Sequence, residues 1–247
     1  MSFNPFAKMN TSTEAKGEDT DHLGGSFGVV DTGVYDFTIK MAYAITAKSG
    51  AAGMTFVFES ADGKIVNLTE YISSGDEKGN NNFYIDKDSG EKKLLPGYMK
   101  VDSIALLSTE KELSAQDFEE KLVPIYNYDA KAEVPTKVPV AVSMLGKSIK
   151  LGVLKINENK TKKNDATGKY DKINEAREIN EVNKIFHAVT GKTIQEYRER
   201  KDAAEFLGKW TEKYGTATID KYKAVVGGAT AGAPAAAGSG KPTASLF

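Results

Sequence analysis

The chain has no cysteine, and its 247 residues hold only two histidines, one tryptophan and seven prolines. Without cysteine there can be no disulfide, no thiolate nucleophile and no zinc site built on thiolates. A histidine-based metal site would have to join His22 or His187 to carboxylates. No apolar run approaches the roughly 20 residues that a membrane-spanning helix needs. The opening segment, Met1-Ser-Phe-Asn-Pro-Phe6, lacks the basic residues and apolar stretch of a secretion signal. Together these absences predict a cytosolic protein without membrane contact. A net charge of -1 and a pI of about 6.2 also exclude a polycation. Any affinity for nucleic acid must therefore come from local sorting of charge.

What is present is a long period of two. Tyr35, Phe37, Ile39, Met41, Tyr43 and Ile45 alternate with Asp36, Thr38, Lys40 and Thr46, which predicts a strand with one buried face. Met54, Phe56 and Phe58 repeat the pattern, and Asp62-Gly63 turns the chain into Ile65 to Ile72. Short connections make these three strands antiparallel. A polar loop follows from Ser73 to Lys93. A short helix is predicted over 99–113 from Val101, Ile104, Ala105, Leu106 and Leu107, and two further strands over 137–145 and 148–156. The composite is mainly β with added helices, in the order of a five-stranded Greek-key barrel of the oligonucleotide-binding class, with a helix between strands 3 and 4. Ile179, Val182, Ile185, Phe186 and Val189 then fall at helical spacing, as do Ile194, Tyr197, Phe206 and Trp210 in part, with Gly191 between. The expected organisation is a flexible arm over 1–30, a barrel over 31–157, a basic loop with a helical extension over 158–225, and a disordered tail over 226–247.

Little here supports catalysis, a metal or a cofactor. Gly191-Lys192-Thr193 matches the end of a phosphate-binding loop, but Phe186 stands where the first glycine belongs and no strand is predicted before it, so it reads as a break between helices. Asp86, Asp88 and Gly90 suggest a calcium loop, yet the glycine is one position early and the bidentate position falls on Gly97. A hairpin turn is the better reading. His187 reads as a packed residue on a helix.

Binding is better served. Between Lys147 and Arg177 nine basic residues face four carboxylates, whereas Ser108 to Lys121 carries five carboxylates and two lysines. Such sorting suits a phosphate backbone, although a lysine run is also an ordinary solvated face. Aromatic residues favour the first reading. Phe83 and Tyr84 lie in the polar loop among Lys78, Lys92 and Lys93, with Tyr71 before and Tyr98 after, and Tyr170 lies in the second basic loop. Rings interleaved with lysines are what single-stranded nucleic acid requires, since any base stacks on a flat ring while cations follow the phosphates. Tyr35, Phe37, Phe56 and Phe58 read as core.

The chain resembles a family of bacteriophage single-stranded DNA-binding proteins over roughly Asp21 to Trp210. The resemblance is carried by His22-Leu-Gly-Gly-Ser-Phe-Gly28, Gly33-Val-Tyr-Asp-Phe-Thr-Ile-Lys-Met-Ala-Tyr43, Leu95-Pro-Gly-Tyr98 and Thr161-Lys-Lys-Asn-Asp-Ala-Thr-Gly168. It implies an oligonucleotide-binding barrel that coats exposed strands during replication and recombination in the cytoplasm of an infected host. It also implies a tail, acidic and ending in phenylalanine, that contacts replication enzymes. Here Leu246 and Phe247 are kept as a partner-binding end, but Gly227 to Phe247 has no acidic side chain.

The expectation is a non-enzymatic, helix-destabilising protein without sequence preference. Tyr71, Phe83, Tyr84 and Tyr98 are its stacking rings. Lys78, Lys92, Lys93, Lys155, Lys160, Lys162 and Lys163 line its phosphate path. The rival is a protein-interaction or assembly module whose lysines only solubilise it.

Overall fold

The computed structural model describes residues 28–127, 130–164 and 167–225. The expected arm up to residue 27 and the tail from 226, with Leu246 and Phe247, lie outside the described residues. Strand β1 (Gly33–Thr46) pairs antiparallel with β2 (Ala52–Glu59), which pairs with β3 (Ile65–Tyr71). Alternation sends Phe37, Ile39, Phe56, Phe58, Val66 and Leu68 to one buried face. Helix α1 (Pro96–Thr109) covers that face with Val101, Ile104, Ala105 and Leu107. It starts three residues earlier than the periodicity suggests because Pro96, with its fixed φ and no N–H, opens the first turn at no hydrogen-bonding cost.

Beyond α1 the chain departs from a five-strand order. β6 (Phe118–Asn127) and β7 (Ala132–Ala141) form a long hairpin, after the short pair β4 (Phe83–Ile85) and β5 (Lys92–Leu94). β8 (Ser148–Lys163) and β9 (Tyr170–Phe186) form a second long ribbon. β8 pairs with the first half of β1, β7 touches its second half at Tyr43, and β10 (Ile219–Asp220) pairs parallel with β8. Two short helices, α2 (Ile194–Arg198) and α3 (Glu205–Tyr214), complete the described residues. The fold is thus mainly β with few helices, and its large sheet is open: no ladder joins β3 to β9. β3 and β9 nevertheless approach each other at a few residues, and α1 packs on both.

The predicted helix over 179–189 is strand up to Phe186 and turn beyond it. A β-bulge produces the misleading spacing: Val182 pairs with Val153 and Lys184 with Gly152, so Asn183 is extra. One inserted residue sets Val182 and Ile185, three apart, against the main core, and Ile179 and Phe186, seven apart, against a second cluster with Leu154, Ile156 and Trp210. Burial on both faces removes the remaining alternation. Trp210 donates from Nε1 to Oδ1 of the bulged Asn183 at 2.8 Å, and its ring lies over Gly152, where a Cβ would meet it at 3.0 Å. His187 accordingly sits in a turn, not on a helix, with its ring stacked on Tyr197. Thr193 caps α2 in a reciprocal capping box with Glu196, whose other oxygen accepts from the Phe206 N–H. Gly191-Lys192-Thr193 is therefore a strand-to-helix turn.

Candidate nucleic-acid interface

The polar loop after β3 is ordered by its own small polar side chains. The Ser73 hydroxyl accepts from the Ala52 N–H, the Ser74 hydroxyl accepts from the Asn81 N–H, the Asn81 amide donates to the Lys78 carbonyl, and Asn80 donates to the Gly50 carbonyl. A 3-10 turn at Asp76–Lys78 is closed by Gly79 in the left-handed region. The hairpin β4–β5 then returns along this loop, tied by the Leu95 N–H to the Asn82 carbonyl at 2.9 Å. Tyr71, Lys78, Phe83 and Tyr84 come together as walls of one open groove of about 530 Å³, completed by Ser73, Ser74, Asn81, Ile85 and Leu95. Tyr71 is 49% and Tyr84 43% exposed, far more than a ring used for packing.

The hairpin that carries two of these rings is braced electrostatically. Lys93 Nζ donates to Asp86 Oδ2 at 2.7 Å, while the Ser89 N–H and hydroxyl donate to Asp86 Oδ1. Lys93 first, then the Ser89 groups, lower the Asp86 carboxyl to a pKa of about 2. These bonds are those of a tight hairpin turn. Lys92 lies over the Phe83 ring at 4.6 Å from its centroid, an attraction that fixes the ring's tilt while leaving the cation at the surface. No group of acidic residues and histidines suited to a metal exists among the described residues.

Tyr98 is not part of this groove. It is half-buried against the main core and lines a separate cavity of about 330 Å³ with Asp102, Glu112 and Arg198. The motif Leu95-Pro-Gly-Tyr98 is instead a device for seating α1. A Cβ on Gly97 would lie 2.2 Å from the Tyr71 carbonyl oxygen, so only glycine lets the helix start against the end of β3.

The second basic region is the distal half of the β8–β9 ribbon, not a loop. Thr161 opposes Lys172 and Lys163 opposes Tyr170, so Lys163, Lys172 and Tyr170 share one face. Tyr170 is 68% exposed. Lys162, Lys163, Lys169 and Lys172 form no ion pair among the described residues. Lys155 and Lys160 differ. Lys155, with 20% of its side chain exposed, is shared between Glu178 and Asp31, and Glu178 chiefly raises its pKa. Lys160 pairs with Glu175 at 3.1 Å. Both already have carboxylate partners. Tyr170, Lys169 and Lys172 lie at this same end of the ribbon, and Tyr170, between Lys169 and Asp171, stands out in the sequence as an aromatic in a basic stretch.

No protein-family model and no curated protein matches the chain. The interface must be interpreted from its own geometry.

Proposed function

We propose that this protein binds single-stranded DNA without sequence preference and without catalysis, stacking bases on Tyr71, Phe83 and Tyr84 and leading phosphates along Lys78, Lys162 and Lys163. The observation that carries the reading is the open groove in which exposed rings and an unpaired lysine converge. Rings accept any base, and cations follow any backbone, so the arrangement is suited to coating rather than to reading sequence. The resemblance of the sequence motifs to those of bacteriophage single-stranded DNA-binding proteins favours the same function, with work in replication and recombination in the host cytoplasm. The approach of β3 to β9, seamed by α1, supports an oligonucleotide-binding barrel whose last ladder is unformed. Coating one strand destabilises duplex by mass action, because the protein binds one state of the DNA and not the other. Recruitment of replication enzymes would fall to Leu246 and Phe247.

The reading is tested with oligo-dT and a duplex competitor at about 50 and 200 mM salt, where phosphate contacts make affinity fall steeply. Replacing Tyr84 by alanine should weaken oligo-dT binding about tenfold at either salt, since stacking is worth ~1–3 kcal/mol per base. Salt-insensitive binding, or equal affinity for duplex, would overturn it. The assembly-module reading draws on one specific feature: Phe118, Leu122 and Tyr126 expose large apolar area along one face of the β6–β7 hairpin.

A further inference from the structure

The last described residues are strapped onto the basic ribbon by asparagine amides. From β10 the chain continues parallel to β8, with the Lys221 N–H donating to the Asn157 carbonyl at 2.8 Å. Asn159 then holds Lys223 at two points: its Oδ1 accepts from the Lys223 N–H, and its Nδ2 donates to the Lys223 carbonyl, both at 2.9 Å. Asn174, across the ribbon on β9, does the same to Val225 at 2.6 and 3.0 Å. An asparagine amide carries a donor and an acceptor side by side, as a peptide group does, so it captures an extended backbone whatever its side chains are. Asn159 is only 2% exposed and also donates to the Ile173 carbonyl, so its amide is committed and cannot swing away.

The strap reaches the ribbon next to its distal basic end. Asn159 stands on β8 four residues before Lys163, at the register irregularity that separates it from Thr161. Lys221 is neutralised by Glu181 at 2.9 Å. Lys223 is exposed and forms no ion pair among the described residues. We propose that Lys223 extends the phosphate path of the ribbon, and that Asn159 and Asn174 are positioning residues that hold it there. This inference rests on the single-stranded DNA reading and assigns a role to a segment outside the residues that reading uses.

The experiment measures oligo-dT affinity of the full chain against salt. Lys223→Ala should lower the slope of log affinity against log salt by about 0.7, the single-strand value for one phosphate, so that the loss between about 50 and 200 mM shrinks nearly threefold. Asn174→Ala should lower the slope in the same direction but by less, because Asn159 still holds Lys223, and adding Lys223→Ala to it should give no more than the slope of Lys223→Ala alone. Because loss of an amide could disturb the ribbon itself, Val225→Pro removes one of the two Asn174–Val225 hydrogen bonds, the Val225 N–H to Asn174 Oδ1, from the strap side. It should reproduce the Asn174→Ala slope. A wild-type slope in Lys223→Ala, or fully additive effects of Lys223→Ala and Asn174→Ala, would overturn the inference while leaving the functional reading standing. If the wild-type chain shows no salt-dependent oligo-dT binding, the functional reading fails first and this one with it.

Discussion

Single residues decide whether the groove exists. Gly97 is the clearest case, because the space for its missing side chain is occupied by the Tyr71 carbonyl. Tyr71 is at once the last residue of β3 and a wall of the groove, so α1 and the stacking surface share one close contact. Replacing Gly97 by alanine must push α1 from β3 or rotate the end of β3. Overpacking of this kind costs ~1–3 kcal/mol. Thermal unfolding should register that loss, and oligo-dT affinity should fall at a temperature where the variant is still fully folded. A stabilised variant, as expected for glycine to alanine in an unconstrained helix turn, would show that the contact is not restrictive.

Among the elements, the β4–β5 hairpin is held most visibly by charge. The Asp86 pKa is about 2 against an ordinary 3.8, so the stabilisation is complete above 3.8 and disappears as pH falls through about 2. The Ser89 amide, which donates to Asp86 Oδ1 at 2.9 Å, reports this directly. Its proton chemical shift should titrate with a midpoint near 2 and move upward in Lys93→Ala. A wild-type midpoint near 3.8 would mean that Lys93 and Ser89 do not hold the carboxylate. The ribbons show where sequence was readable. β2, β3 and the first half of β1 keep plain alternation, which reveals them together with Phe37, Phe56 and Phe58 as core, whereas a bulge between Ile39 and Met41 turns Ala42 inward and takes Met41, Tyr43 and Ile45 out of the predicted buried face. β9 buries both faces across the bulge at Asn183, and its apolar residues imitate a helix. The lysine-rich end of β8 looks like a loop because neither face is buried there. Groove residues Tyr71, Lys78, Phe83 and Tyr84 were legible as rings among lysines. The burial of Tyr98 and the carboxylates facing Lys155 and Lys160 depend on pairing across distant strands, which local pattern does not carry.

Over the whole molecule, a net charge of -1 excludes general attraction to polyanions, so the proposed binding depends on places where cations lack partners. Two such places are the groove beside Lys78 and the ribbon end with Lys162, Lys163, Lys169 and Lys172, which Lys223 adjoins. The β6–β7 hairpin is different in kind. Pro124 opposes Pro135, and two prolines cannot exchange N–H bonds, so this pair is a non-hydrogen-bonded site whose missing donors point outward. By the same alternation Pro139, opposite Glu120, removes another outward donor. Both edges are thereby blunted against strand addition. Its described charges balance, with Glu119, Glu120 and Glu133 against Lys121, Lys131 and Lys137, and it offers no phosphate path. Hydrogen exchange with and without oligo-dT separates the two readings of the protein on this basis. Amides of residues 71–95, 158–172 and 221–225 should gain protection, and those of 118–141 should not change. Protection confined to 118–141 would place the DNA on the apolar arm and remove the argument from the groove.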